Sequence, residues 1–206
     1  MNNIIYISYF SEGYYEDVMN SHLLPSLLLF NLPYYILPME NTHNRLKNLR
    51  QKIDFMQKAL KENYPFSLVW IDADAKIESY PKLFYEIPKE YDIGLHFLDW
   101  KEQYGKEGKE LLTGTVFLRN NEKVERAIGL WKKSAEENSG LTDQRALKKI
   151  IKNLDVKIYE LPREYCYIPI NPNGKPSVVK IDNPVITQWQ ISRKIKENPR
   201  LLLDDD

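Results

Sequence analysis

The sequence predicts an α/β fold, and two observations carry that expectation. Strand-like and helix-like segments alternate along the chain. One strand, Phe66-Ser67-Leu68-Val69-Trp70-Ile71, is apolar enough to be buried on both faces, as strands of parallel-rich sheets are. That run stops abruptly at Asp72.

Taken in order, Ile4-Ile5-Tyr6-Ile7 is a β-branched and aromatic run that reads as a first buried strand, and the polar loop Ser8 to Gly13 follows it. Residues 16–30 read as helix with a break near Pro25. Tyr34 to Leu37, fenced by Pro33 and Pro38, reads as a second strand. Leu46, Leu49, Ile53, Met56 and Leu60 then recur at steps of three and four, the apolar stripe of an amphipathic helix. After the strand at 66–71, further strands are expected at 91–97 and 111–118. Helices are expected at 121–137, with Val124, Ile128 and Trp131 on one face, and at 143–153. Strands near 156–160 and 178–181, a Pro/Asn/Gly turn at Asn171 to Pro176, and a helix from about Trp189 complete the reading.

The chain has 206 residues, about the size of one domain on a prior of ~100–200 residues per domain. Its 29 basic and 29 acidic side chains cancel, so no global field collects nucleic acid or anionic membrane. Any bound anion needs a local site. A single cysteine, Cys166, excludes an internal disulfide framework and a multi-cysteine zinc site. The N-terminus lacks a secretory pattern, and Leu23 to Phe30 falls short of the ~20 apolar residues of a membrane span. A cytoplasmic protein with no integral membrane segment is the expectation.

Asp72-Ala73-Asp74 is the most informative feature. On an extended backbone, two carboxylates two residues apart project to one side, beyond the carboxyl end of a buried strand, where open α/β sheets bind ligands. Mg²⁺ or Mn²⁺ is the natural neutraliser, accepting one or two carboxylates and leaving its other positions to water and phosphates. Two other readings stand beside this one. The pair could be solvated strand-end acids, or the nucleophile region of a haloacid-dehalogenase-type phosphatase, which ends a strand in Asp-x-Asp. The phosphatase strand normally lies near the N-terminus, with Thr or Val where Lys76 stands here.

Several segments, in order, resemble the DxD-containing glycosyltransferases of the GT-A fold, the nucleotide-diphospho-sugar transferases. They are Tyr6-Ile7-Ser8-Tyr9-Phe10, the basic helix with Asn44, Arg45, Arg50 and Lys52, and Val69-Trp70-Ile71-Asp72-Ala73-Asp74. Tyr91-Asp92-Ile93-Gly94, Leu111 to Phe117, Asp143-Gln144, Tyr165-Cys166 and Pro184 to Arg193 follow. The resemblance implies a single GT-A (Rossmann-like) domain over residues 1–206, with a mixed, mainly parallel central sheet flanked by helices. It also implies transfer of a sugar from a nucleotide-diphosphate donor, a UDP-sugar in the favoured case, to an acceptor left open among glycan, lipid-linked sugar and protein. Asp72 and Asp74 would hold Mn²⁺ or Mg²⁺, with Trp70 and Ala73 beside the donor.

The remaining assignments carry alternatives. The loop that includes Ser11 would hold the nucleotide, with Tyr9 or Tyr14 stacked on the base or simply covering apolar surface. Arg45, Arg50 and Lys52 can meet phosphates or carboxylates, or form a solvated helix face. Thr113-Gly114-Thr115 would lie near the sugar, or be a bulge in a Thr-rich strand. Asp143 and Gln144 are the candidate catalytic pair. Asp143 is read as an acceptor for sugar hydroxyls or else as a helix cap. Gln188 stands where many GT-A enzymes carry a metal-binding histidine. It could supply an oxygen ligand or a water-mediated contact, and its presence leaves open an inactive nucleotide-sugar-binding homologue. Arg193 and Lys194 could contact the diphosphate or lie on an exposed basic helix. His96 is expected to be a satisfied core histidine and Cys166 a small buried hydrophobe.

Overall fold

The computed structural model describes residues 3–170 and 176–191, with the side chains of Arg45 and Tyr104 left aside. In chain order it contains β1 (Ile4–Ser11), α1 (Tyr14–Ser21), α2 (Leu23–Leu29), β2 (Tyr34–Met39), α3 (Arg45–Glu62), β3 (Ser67–Ile71), β4 (Ala75–Ile77) and α4 (Leu83–Glu86). There follow β5 (Ile93–Asp99), α5 (Trp100–Tyr104), β6 (Lys109–Leu118), α6 (Glu122–Glu137), α7 (Asp143–Ile150), β7 (Ile158–Glu160) and β8 (Ile186–Gln188). Six strands make the central sheet in the order β2-β1-β3-β6-β5-β7, and β4 pairs with β8 in a separate ribbon. β1 runs parallel to β2 and β3, and β5 runs parallel to β7; β6 opposes both its neighbours. The sheet is therefore mixed and mainly parallel, as the sequence predicts.

All five residues of β3 are buried. Leu68 and Trp70 enter the core under α3, α6 and α7, while Val69 and Ile71 enter the opposite core with α1, α2 and α4. Covering both faces is what lets this strand be apolar throughout. The predicted stripe of α3 is buried at Ile53, Met56 and Leu60, and Asn44 caps the helix by accepting from the amides of Leu46 and Lys47. In α6, Val124, Ile128 and Trp131 face the core as expected. Thr142, not Asp143, caps α7, its hydroxyl accepting from the Arg145 amide at 3.3 Å.

Some expectations require correction. The helix expected at 16–30 is two helices that break at His22, and Pro25 sits in the first turn of α2, where its missing N–H costs nothing. The helix expected at 143–153 ends at Ile150 and tightens into a 3₁₀ turn over Ile151–Asn153. No strand forms at 178–181; Val178 is exposed, so its apolar side chain has no face to bury, and the strand lies at β8 instead. Residues 189–191 are not helical, and the rest of that expected helix lies outside the described residues, as does most of the Asn171 to Pro176 turn.

One irregularity shapes the functional end of the sheet. Leu95 pairs with Val116, but the next residue, His96, pairs with Leu112. Thr113, Gly114 and Thr115 are thereby looped out of the β5 ladder, while Thr115 still pairs with Ile71 at the end of β3. β6 consequently bulges toward the Asp72 corner.

Candidate active site

The carboxylate corner is a turn. The Ala75 amide donates to the Asp72 carbonyl at 3.0 Å, and the Asp72 amide donates to the Gly114 carbonyl at 2.9 Å. The premise of an extended Asp-x-Asp projecting to one side is therefore corrected, because the chain folds back at once into β4. The turn separates the two acids by environment. Asp72, with 39% of its side chain exposed, faces the open end of the sheet, and its Oδ1 accepts from Lys52 Nζ at 2.9 Å and Trp70 Nε1 at 2.7 Å. Asp74 is buried, and its Oδ2 accepts from the Ile191 amide at 2.6 Å. Burial, aided by the charge of Asp72, pushes the Asp74 pKa up to about 6.

Lys52 is the hub. Its buried ammonium donates to Asp72 and to the Thr113 carbonyl, the latter at 2.5 Å, and lies 3.5 Å from Asp143 Oδ2. Three partners match the three N–H donors of an ammonium group. Burial alone would lower its pKa, yet the Asp72 and Asp143 carboxylates outweigh that and hold it above the ordinary lysine value. Of the two alternatives for this residue, phosphate or carboxylate, the structure realises the carboxylate one. The indole of Trp70 lies beneath, its centroid 4.9 Å from the ammonium. Trp70 is itself buried, and its indole N–H holds Asp72 in place.

Asp143 is buried at the start of α7, its Oδ2 accepting from Thr113 Oγ1 at 3.0 Å and its carbonyl from Trp131 Nε1 at 2.8 Å. Gln144 turns away, donating from Nε2 to Glu110 Oε1 at 2.8 Å. The candidate pair is thus split between the carboxylate corner and the head of β6. Thr115 is fully buried and its hydroxyl accepts from Gln188 Nε2 at 2.9 Å. Gly114 is bare for a reason: a Cβ there would lie 2.9 Å from Gln188 Cδ and 3.0 Å from Oε1. The close approach inferred for this glycine is made by Gln188, and both threonine hydroxyls are spent inside the protein.

The other expected residues are dispersed. Tyr9 packs its ring on Phe55 and Trp70, with centroids 5.8 and 5.4 Å away, and donates its hydroxyl to the Asn48 carbonyl. This commits it to the packing layer under α3, the surface-covering alternative. Tyr14 is half-buried at the start of α1, edge-on to Tyr15, and Ser11 is buried at the end of β1. Ala73 is buried within the turn. Arg50 donates from Nη2 to the Ser139 carbonyl, tying α3 to the loop before α7. Arg45 begins α3, but its side chain, like Arg193 and Lys194, lies outside the described residues.

Ser8, not singled out from the sequence, donates from a fully buried hydroxyl to the Ile71 carbonyl at 2.6 Å and ties β1 to the end of β3. Lys52 carried a readable signal: it stands four residues before Met56, in line with the buried stripe. His96 is only half satisfied, with Nδ1 bonded to the Leu161 carbonyl at 2.9 Å and Nε2 buried without a hydrogen bond. Burial lowers its pKa. Cys166 is buried as expected, and burial pushes its thiol up to about 12, which makes it inert.

No protein-family model matches the chain, and no curated protein matches it. Solved structures do match in fold. A glycosyltransferase involved in the glycosylation of the major capsid of PBCV-1 superposes with a TM-score of 0.69 at 10% identity, covering 98% of this chain and 99% of that one. The apo form of mouse xyloside xylosyltransferase 1 gives 0.53 at 10% identity, covering 93% and 98%. The apo-form glycosyltransferase GlyE of Streptococcus pneumoniae TIGR4 gives 0.60 at 11% identity, covering 92% of this chain and 55% of that one. The helix-flanked, mixed and mainly parallel sheet of this chain is therefore a GT-A-like glycosyltransferase fold.

Proposed function

We propose that the chain is a glycosyltransferase that moves a sugar from a nucleotide-diphosphate donor, a UDP-sugar in the favoured case, to an acceptor hydroxyl with the help of Mn²⁺ or Mg²⁺. In this reading residues 1–206 act as one domain in the cytoplasm. No helix among the described residues is long and apolar enough to cross a membrane. One observation carries the reading: at the carboxyl end of β3, Asp72 and Asp143 share a single ammonium, Lys52, with the buried Asp74 two residues beyond Asp72. In α/β sheets that end is where ligands bind.

The donor set fits a hard divalent cation. Asp72 and Asp74 would supply the carboxylate oxygens, and Lys52, already shared between Asp72 and Asp143, does not cancel the charge of the three acids. No cluster of three or more His, Cys, Asp or Glu side chains suited to a metal occurs among the described residues. Two carboxylates with water and donor phosphates are nonetheless a usual Mg²⁺ or Mn²⁺ environment. When bound, such a cation offsets the charge that develops on the departing nucleoside diphosphate. Gln188 contributes through its fixed contact with Thr115 and Gly114, shaping the wall of the site.

The chain's own part is orientation. Lys52 holds Asp72 and Asp143 in fixed positions, and Thr113 adds a second bond to Asp143, so that carboxylate is preorganised to accept from donor-sugar hydroxyls. In this reading Ser11, at the close of β1, and Tyr14, at the start of α1, take the nucleotide, Tyr14 stacking on the base, and Arg45, Arg193 and Lys194 are the basic residues assigned to the diphosphate. A second reading, a nucleotide-sugar-binding homologue without turnover, draws support from Gln188, whose amide is committed to Thr115 where the resembled family commonly has a metal-binding histidine. The likeness in fold favours either reading over the phosphatase alternative.

The test is a thermal-shift screen of the full chain against UDP-, GDP-, CDP- and ADP-sugars, with Mn²⁺, with Mg²⁺ and with chelator. A donor at ~100 times its dissociation constant adds about 2.7 kcal/mol, a shift of roughly 5–10 °C for a chain of this size. Stabilisation that needs metal, followed by release of nucleoside diphosphate, supports the transferase. Stabilisation without release supports the binding homologue, and neither effect with any donor overturns both.

A further inference from the structure

The outer face of α7 carries a strip of like charge. Arg145, Lys148, Lys149 and Lys152 stand at steps of three and four, from the helix into the 3₁₀ turn that ends it. All are exposed, opposite Ala146 and Leu147, which are buried. Residues so spaced lie about 5–6 Å apart at Cβ, and like charges there repel. Other helices carry the opposite arrangement. Lys58 meets Glu62 in α3, Lys82 meets Glu86 at α4, and Arg126 and Lys133 meet Glu122 and Glu137 in α6, acid and base alternating along the face.

No acid answers the strip. Among the described residues its cations form no ion pair; Lys148 Nζ donates to the Lys109 carbonyl at 3.1 Å and Lys149 Nζ to Asn138 Oδ1 at 2.7 Å, both uncharged acceptors. The neighbouring carboxylates are committed elsewhere: Asp143 to Lys52 and Thr113, Glu110 to Trp100 and Gln144, Glu137 to Lys133, and Asp155 to Lys123. The Lys148 bond also lays the β5–β6 hairpin beside α7. That hairpin adds Lys106 and Lys109, exposed and likewise without an ion pair among the described residues. Trp100 is half-buried at the same place, its ring centroid 5.8 Å from Lys148 Nζ.

The 29 basic and 29 acidic side chains of the chain cancel, so this excess is local. A Debye length of ~8 Å at physiological ionic strength exceeds the spacing within the strip, and its charges act together. Lys148, Lys149 and Lys152 present point charges, without the planar fork that reads a single phosphate or carboxylate. They stand on the outer face of a helix, whereas a nucleic-acid strand asks for a groove with free aromatic faces. A broad, flat anion meets such a face along its whole length. The indole beside Lys148 is the kind of side chain that settles between lipid headgroups and acyl chains. We propose that α7 and the β5–β6 hairpin form a docking surface for an anionic phospholipid bilayer. The strip begins on the same helix as Asp143, so docking holds the carboxylate corner close to the membrane. This inference is independent of whether the chain transfers sugar.

The test is flotation of the full chain with vesicles of phosphatidylcholine alone and of phosphatidylcholine with about 30% phosphatidylglycerol. Each is run at low salt and at ~1 M salt, where the Debye length is about 3 Å. The chain is expected to float with the anionic vesicles at low salt, and to stay behind with neutral vesicles and at high salt. One cation near an anionic surface is worth about fivefold in affinity, so Lys149→Gln together with Lys152→Gln should weaken binding roughly 25-fold. Adding Arg145→Gln and Lys148→Gln should abolish it. These changes remove only repulsion from an exposed face, and circular dichroism checks that each variant is folded. A control with Lys58, Lys61, Lys82 and Lys89 changed to glutamine, all exposed on α3 and around α4, should float as the wild type does. Absence of flotation with anionic vesicles overturns the proposal, and so does equal loss in the control and strip variants. Strip-dependent binding to a labelled duplex DNA or single-stranded RNA, with no flotation, gives the surface to nucleic acid instead.

Discussion

Lys52 Nζ lies 2.9 Å from Oδ1 of Asp72, so a helix that packs on the sheet supplies the countercharge for the carboxylate at the end of its most buried strand. Asp143 shares that ammonium at 3.5 Å. The link joins the packing of α3 to the charge state of the site.

Removing that ammonium leaves Asp72 and Asp143 without their countercharge. Lys52→Met, similar in length and uncharged, is expected to lower the unfolding free energy by about 3–5 kcal/mol, the usual loss when one member of a buried ion pair is deleted. Urea unfolding at pH 7 measures it. Because the folded pKa of Lys52 is raised, its contribution in the wild type is complete below the ordinary value of 10.5 and is lost as pH rises through the folded value. The loss in the variant should therefore shrink at strongly alkaline pH. A variant as stable as the wild type at pH 7 would show that the ammonium is not the hub.

Asp74→Asn should separate stability from metal response. Burial raises the Asp74 pKa to about 6, so its ionised form opposes folding at pH 7. Asparagine removes that cost while keeping an oxygen for the Ile191 amide, and the melting temperature in chelator should not fall. Stabilisation by Mn²⁺ plus donor should vanish. Retained metal-dependent stabilisation in this variant would exclude Asp74 as a ligand.

The bulge can be probed through Gly114. Adding a Cβ 2.9 Å from Gln188 Cδ forces the amide off Thr115, and Gly114→Ala is expected to cost about 1–3 kcal/mol, the usual range for overpacking. Gln188→Ala in the same chain should recover much of the loss. Additive effects in that double-mutant cycle would mean the two residues do not meet.

His96 gives a pH signature. Its pKa is lowered in the fold from the ordinary 6.5, so its contribution to stability is complete above pH 6.5 and is lost as pH falls toward the folded value. His96→Asn, whose amide N–H can take the place of Nδ1 toward the Leu161 carbonyl, should flatten the slope of stability against pH between about 7.5 and 5. Parallel slopes for the two proteins would show that His96 does not titrate differently on folding.

How far these features could be read from sequence depends on whether one residue or two must be known. The strand at 67–71 was legible because burial on both faces constrains every position, and its end at Asp72 was visible as a change of polarity. The stripe of α3 was legible for the same reason. The bulge was not, since the step from Leu95 to His96 shows only in the pairing of two strands. Nor was the union of Lys52, Asp72 and Asp143, which joins a helix, a strand end and a second helix through side chains far apart in the chain. The tight turn at Asp72 to Asp74 was hidden because β4 has three residues and finds its partner only in β8, near the other end of the chain. Trp70 and Tyr9 are ambiguous in sequence because aromatic side chains serve a core and a ligand equally well, and only the fold shows the two rings packed together.

The amide of Ile191, held 2.6 Å from Asp74 Oδ2, gives the chain a built-in spectroscopic reporter. A proton shared with a buried carboxylate is strongly deshielded, and its chemical shift follows whatever that carboxylate binds. In a ¹⁵N-labelled sample one resonance from the backbone would therefore register protonation, cation loading and donor arrival at a side chain 117 positions away, with no dye, coupled enzyme or labelled sugar.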